Sequence, residues 1–262
     1  MQSLRRDGVA LFYEEAPGDE PPILLVHGWC CDHTYFAPQF EHFASRGHRV
    51  VAVDLRGHGR SDKPQQGYTM HLFADDLAWT CQRIGVEKPV VVGHSMGGIV
   101  AFDLAARYPD MSSAIVMLDA AVVLPSTARA AIPGLLEELR GPGYRQVLRD
   151  FVANSLFIPT DDQERKKRIL ESMSTTPQQV VVSAFEGLCD YDPTEATGGL
   201  AKPAVYIAAD ELQPRSDMSR LHGLAPQILY GKTVGSGHFC QLEVPEQVNA
   251  MIDRFLAITL TA

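Results

Sequence analysis

The sequence predicts an α/β fold in which a mainly parallel central sheet is flanked by helices. Three observations carry that prediction. Short apolar, β-branched runs at residues 23–26, 49–53, 89–92, 113–118 and 204–209 alternate with stretches of helical period, as in βαβ units whose strands are covered on both faces. These strands end in polar clusters, at His27, Asp54, Ser95, Asp119 and Asp210, with His238 following a last strand near 227–234. Carboxyl ends of parallel strands are where such sheets bind ligands. The third observation is an interruption. Residues 122–200 hold helical pieces and repeated stops, among them Pro125, Pro133, Gly141-Pro142-Gly143, Pro159, Pro177, Pro193 and Gly198-Gly199, but no convincing strand. That is too long for one crossover, so a helical insertion over the carboxyl edge is expected.

The remaining elements follow in order. A short strand at 9–14 comes after a turn at Asp7-Gly8, and Pro and Gly make 16–22 a loop. Residues 35–46 read as a helix with Tyr35, Phe36, Phe40 and Phe43 on one side, and 70–84 as a helix with Leu72, Phe73, Leu77 and Ile84 apolar. A helix at 98–107 follows the strand at 89–92, and one at about 246–256 closes the chain. The expected division is a core of residues 1–121 and 201–262 with a helical cap at 122–200, in which 135–140, 144–151 and 164–173 are amphipathic.

Composition excludes several classes. The chain has 262 residues, 45% hydrophobic and 21% charged, which suits one globular domain with an insertion. A net charge of -9 disfavours nucleic acid. The one basic run, Arg165-Lys166-Lys167-Arg168, follows Asp161, Asp162 and Glu164 and reads as a solvated helix face. Five cysteines without metal spacing argue against a disulfide framework and for a reducing compartment. Residues 1–8 lack the apolar stretch of a signal peptide, and there is no run long enough to span a membrane. A cytoplasmic protein acting on a small molecule is expected, with no cofactor, no metal, no nucleic-acid or membrane partner, as a monomer or homodimer.

The chemistry centres on Gly93-His94-Ser95-Met96-Gly97, set between a β-branched run and an apolar helical pattern. A serine at the apex of so sharp a turn takes strained backbone angles, and its flanks must be small for strand and helix to approach. Ser95 is the candidate nucleophile. Serine needs a base, and among nine histidines His238, in the glycine-bearing loop Gly235-Ser236-Gly237, is the candidate. His27 and His58, beside glycines at strand ends, read as loop-shaping. The base needs a carboxylate to fix its tautomer. Asp210 is preferred, Asp119 is the alternative, and Asp192 and Glu211 are further candidates. For an oxyanion, two pre-aimed donors are required. These are the backbone amides of Met96 and Trp29, with Cys30 as second choice to Trp29. His27, Gly28, Cys30, His94, Phe157 and Phe239 are expected around the substrate, and Phe151, Leu156, Phe185, Leu188 and Tyr191 as further walls.

From about residue 9 to 258 the chain resembles the α/β-hydrolase superfamily. The resemblance rests on His27-Gly28-Trp29, on Asp54-Leu55-Arg56-Gly57-His58-Gly59-Arg60-Ser61-Asp62, on Gly93-His94-Ser95-Met96-Gly97-Gly98, and on Gly237-His238-Phe239 followed by Glu243-Val244-Pro245-Glu246. The chain order Ser…Asp…His also matches. The resemblance implies a cap after the sixth strand and a serine hydrolase for a small, fairly apolar ester or lactone. It departs from the family in having Cys30-Cys31 where a proline often follows the His-Gly-aromatic motif, and Ala208-Ala209 where a glycine often precedes the acid. Two alternatives keep the same site. One is C–C bond hydrolysis of a ring-fission-type diketone. The other is ring cleavage by the cofactor-independent dioxygenases of this fold, which Gly28-Trp29-Cys30-Cys31-Asp32-His33 also resembles. Their acid matches Asp119, and they often carry a second histidine where this chain has Met96. A non-catalytic ligand-binding relative is the remaining class.

Overall fold

The computed structural model describes residues 2–195 and 200–260. Gly198 and Gly199, two of the expected stops, lie outside them. In chain order the first part runs β1 (Gln2–Arg6), β2 (Val9–Ala16), β3 (Glu20–Val26), a 3₁₀ turn (His33–Phe36), α1 (Ala37–Ala44), β4 (His48–Asp54) and α2 (Met70–Ile84). Next come β5 (Val90–His94), α3 (Met96–Arg107), β6 (Ala114–Leu118), α4 (Ser126–Arg140), α5 (Tyr144–Ser155), α6 (Gln163–Met173) and α7 (Gln178–Asp190). The chain closes with β7 (Ala204–Ala208), α8 (Met218–Leu224), β8 (Leu229–Lys232), α9 (Cys240–Glu243) and α10 (Pro245–Thr259).

The strands form one eight-stranded sheet in the order β1-β2-β4-β3-β5-β6-β7-β8. Pairing is parallel from β4 through β8, and β1 and β2 join one edge antiparallel. β1 was not expected from pattern. Its sequence, QSLRR, carries no apolar alternation and is largely exposed. It is held by a hairpin with β2 through Asp7 and Gly8, both at positive φ (50° and 82°).

Side-chain alternation along the buried strands explains the three layers. Leu24, Val26, Val51 and Val91 face one way and pack with Phe73 and Leu77 of α2 and Val100 and Leu104 of α3. Ile23, Leu25, Val50 and Val92 face the other way, against Phe43 of α1 and Ile252 and Phe255 of α10. α2 begins where Thr69 accepts the Leu72 amide, and stops at Gly85 in the left-handed conformation.

Between β6 and β7 the described residues contain helices and no strand, namely α4 to α7. Helix α4 packs on α7 and α5, and α5 on α6. Among the described residues no helix is long and apolar enough to cross a membrane.

Candidate active site

The turn from β5 into α3 is set by contact. A Cβ at Gly93 would lie 2.1 Å from the Gly97 carbonyl oxygen, and one at Gly97 would lie 2.1 Å from the Val26 carbonyl oxygen. Only glycine permits this closure of strand, helix and neighbouring β3. Ser95, between them, has φ 56° and ψ -122°, a costly conformation for a residue with a side chain. Its amide donates to the Leu118 carbonyl at 2.9 Å, which ties the apex to the end of β6. Met96 opens α3, so its N–H is among the first amides, which have no intrahelical acceptor. On the other side of the serine the loop after β3 comes close: a Cβ on Gly28 would sit 3.1 Å from Ser95 Cβ. That places the amide-bearing turn Gly28-Trp29 beside the hydroxyl-bearing residue.

His238 lies in the loop after β8, buried to 3% exposure. Its Nδ1–H donates to Asp119 Oδ2 at 2.6 Å. Asp119 follows β6 directly and is itself in the left-handed region, φ 45°. Its amide donates to Ile207 O at 2.8 Å, while its own Oδ1 accepts the Ala209 amide at 3.1 Å. The carboxylate is therefore wedged between the ends of β6 and β7. Arg215 Nε donates to the same Oδ2 at 2.7 Å, and the Arg215 guanidinium also pairs with Glu211 and donates to Ser155 O at 2.8 Å.

These contacts set the charges. Burial opposes ionisation of Asp119, but the hydrogen bond and charge of His238, then Arg215, outweigh it and hold the carboxyl well below the usual range. For His238 burial disfavours the charged ring, Arg215 adds repulsion, and Asp119 only partly compensates, so its pKa falls to about 4. The ring is neutral at pH 7, with its proton on Nδ1. Burial likewise pushes the Glu211 carboxyl up against the pull of Arg215.

The expected pairing of His238 with Asp210 is not what the structure contains. Asp210 lies two residues beyond the end of β7 and its side chain is 37% exposed. Its Oδ2 accepts the Gly235 amide at 2.9 Å and its Oδ1 pairs with Lys232 at 3.1 Å. The reason is positional: Asp210 caps the start of the loop that carries His238, whereas Asp119 meets the ring. Asp192 is exposed and caps its own turn through Thr194, and Glu211 is engaged by Arg215.

A cavity of about 910 Å³ opens over this site. Trp29, Ser95 and His238 line its floor, and Leu135, Phe151, Leu156, Phe185 and Leu188 line its walls. Glu211, Gln213, Arg215 and Asp217 give it one polar end. Trp29 is fixed there by an indole hydrogen bond to Val181 O at 3.0 Å and by Phe185, 4.8 Å away ring to ring.

Of the residues expected around the substrate, Phe151, Leu156, Phe185 and Leu188 line this cavity, and His27, Gly28, Cys30, His94, Phe157, Phe239 and Tyr191 are not among its lining. His27 Nε2 accepts the Leu55 amide and its Nδ1–H donates to Gly28 O, so it shapes the loop. His94 Nε2–H donates to His238 O at 2.8 Å, which makes it a support under the His238 loop. Phe157 and Phe239 pack on each other at 5.3 Å, and Tyr191 donates to Asp103. Gly28 packs under Ser95. Cys30 faces a second cavity of about 360 Å³ with Asp32, His33, Asp54 and His58. Sequence pattern missed Arg215, although an arginine four residues after Glu211, in the loop following a strand end, was a legible signal.

Metal-ligating side chains converge at Asp32, His33 and Asp54, whose donor atoms lie within 4.8 Å of one another. Asp54 there accepts the His33 amide, His33 Nδ1–H and the Arg60 amide. Its oxygens are thus used to hold the loops after β3 and β4. The five cysteines are free and buried.

Comparison with known proteins agrees with this architecture. A sequence profile of the alpha/beta hydrolase fold matches residues 21–245. The AB hydrolase superfamily protein YisY of Bacillus subtilis (strain 168) is 27% identical over 257 residues, 94% of this chain and 95% of that protein. The bifunctional esterase/perhydrolase DCH of Acinetobacter calcoaceticus is 42% identical over 118 residues, 45% of this chain and 43% of its own. A thermophilic esterase from Thermogutta terrifontis superposes with a TM-score of 0.86 at 26% identity, covering 99% of both chains. The chain belongs to the α/β-hydrolase fold family, and it is a hydrolase-fold enzyme.

Proposed function

We propose that this enzyme hydrolyses a small, fairly apolar carboxylic ester or lactone through Ser95, His238 and Asp119, with α4 to α7 as a cap over the site. The observation that carries the proposal is the His238–Asp119 hydrogen bond at the floor of a cavity that Ser95 shares. Ser95 Oγ attacks the carbonyl carbon while His238 Nε2 takes the hydroxyl proton. The Met96 and Trp29 amides hold the oxyanion. The carbonyl re-forms, the C–O bond to the alcohol breaks, and His238 gives the alcohol its proton. Water then attacks the acyl-enzyme, His238 removing its proton and returning it to Ser95 as the acid leaves. Asp119 stays ionised and stabilises the imidazolium at each transfer. The aromatic and aliphatic walls favour an apolar acyl or aryl group, and likeness to an esterase supports the ester class.

A panel of 4-nitrophenyl esters from acetate to octanoate, run beside simple lactones, tests the class. Ser95→Ala is expected to lose roughly 10⁴-fold in kcat/KM while staying folded. Turnover equal to the wild type would reject the nucleophile.

One observation favours a second reading. The carboxylate that meets His238 is Asp119, the residue that the resemblance of Gly28–His33 to the cofactor-independent dioxygenases implies as the acid. Oxygen uptake with a hydroxyquinolone-type substrate, independent of Ser95, would select that reading over hydrolysis.

A further inference from the structure

The loop that carries His238 is held from outside the sheet. His238 N–H donates to Leu156 O at 3.1 Å, and Thr160 Oγ1–H donates to Gly235 O at 3.2 Å. Between them Asp161 reaches in. Its Oδ1 accepts the Gly237 amide at 2.7 Å, and its Oδ2 accepts the Ile158 amide at 2.8 Å. Asp161 is 3% exposed, and the hydrogen bonds its carboxylate accepts come from backbone amides alone among the described residues. The fit excludes alternatives on the other side too: a Cβ at Gly237 would lie 2.4 Å from Asp161 Oδ2. A buried carboxylate satisfied at both oxygens is costly to disturb, because each lost bond leaves a desolvated partner. The same segment supplies Ser155 and Leu156 to the cavity wall.

We propose that Asp161 is a positioning residue for His238: it fixes the loop that carries the base to the α5–α6 connection, and so joins the register of the base to the wall of the cavity. This rests on the reading of His238 as the base. The side chain acts through the Gly237 amide and touches neither substrate nor nucleophile. Asn at 161 has one carbonyl oxygen for two amide donors and turns its NH₂ toward the other, so it keeps at most one of the two bonds.

The test compares Asp161→Asn and Gly237→Ala with Glu243→Gln. Glu243 holds the outer side of the same seam through the Asp162 amide and Arg165. The first readout is the low-field proton signal of His238 Nδ1–H, assigned by its absence in Asp119→Asn. It should be sharp in the wild type and in Glu243→Gln, and shifted or broadened in Asp161→Asn and Gly237→Ala. The second is turnover of 4-nitrophenyl butyrate. A loss of about 10-fold to 100-fold in kcat with KM nearly unchanged is expected for those two variants. An unchanged signal and wild-type kcat in Asp161→Asn would overturn the proposal, as would equal losses in Glu243→Gln. If neither seam variant folds, hydrogen exchange of the wild-type Gly237 amide decides: strong protection supports the clasp, and loop-like exchange overturns it. Absence of Ser95-dependent turnover in the wild type would instead reject the hydrolase reading, while the proton signal still decides the clasp.

Discussion

His238 and Asp119 stand 119 residues apart in sequence and share a 2.6 Å hydrogen bond, with Arg215 on the same carboxylate oxygen at 2.7 Å. One anion thus serves a neutral imidazole and a guanidinium. His238 and then Arg215 keep the carboxylate ionised, while burial and then Arg215 make the histidine harder to protonate.

The acid is testable by paired amides. Asp119→Asn should lose roughly 10⁴-fold in kcat, the scale for a triad carboxylate whose loss misplaces the tautomer. Asp210→Asn should stay within about 3-fold of the wild type, because its contacts are to Gly235 and Lys232 at a half-exposed site. Steady-state kinetics on both variants decides, and the reverse order would return the role to Asp210.

The pH profile follows from the same contacts. On the proposed mechanism the reacting form carries a neutral His238, whose pKa burial and Arg215 lower to about 4. Activity therefore falls only as pH drops through that region, and the acidic limb of kcat/KM should lie well below that of an ordinary histidine. Arg215→Met removes the repulsion, so the limb should move up toward the ordinary value. An unmoved limb would show that Arg215 does not tune the base. The substitution also removes a part-buried partner of Asp119, which keeps His238 and the Ala209 amide, at a cost of about 1–3 kcal/mol in stability read by denaturant melts.

Ser95 depends on its neighbours for its backbone. Gly97→Ala would force a Cβ to 2.1 Å from the Val26 carbonyl. Strand and helix must separate or the chain must fail to pack. A loss of more than about 4 kcal/mol is expected, measured by urea unfolding, and a wild-type midpoint would contradict the close packing described.

The proposed role of the cavity wall in substrate choice is testable at Phe185. Phe185→Ala removes the ring that packs at a tilt against Trp29, 4.8 Å between centroids. It should raise KM for aryl and short acyl esters about 10-fold or more and relax chain-length preference, with a core-truncation cost of about 3 kcal/mol. The ester panel reads both effects.

The central strands β3 to β7 were legible because they are buried on both faces and read as continuous apolar runs. The helix ends were legible where glycine or a capping side chain marks them, as at Thr69 and Gly85. β1 was not, because an exposed edge strand such as QSLRR needs no apolar alternation. Ser95 and His238 stood out through local glycine spacing. The carboxylate did not, since Asp119 and Asp210 both follow strand ends within two residues, and it is the left-handed turn at Asp119 and its bond to His238 that select between them. The cavity walls were half legible. Phe151, Leu156, Phe185 and Leu188 line it, while Phe157 and Phe239 pair with each other, and no local pattern separates these fates.

Covalent capture tests the central claim most directly. The wild-type protein, incubated with a fluorophosphonate and digested, should yield one modified peptide with the adduct on Ser95. Labelling should be abolished in Ser95→Ala and strongly slowed in Asp119→Asn. A wild-type protein that stays unmodified at Ser95, or that labels equally fast without Asp119, would contradict the account.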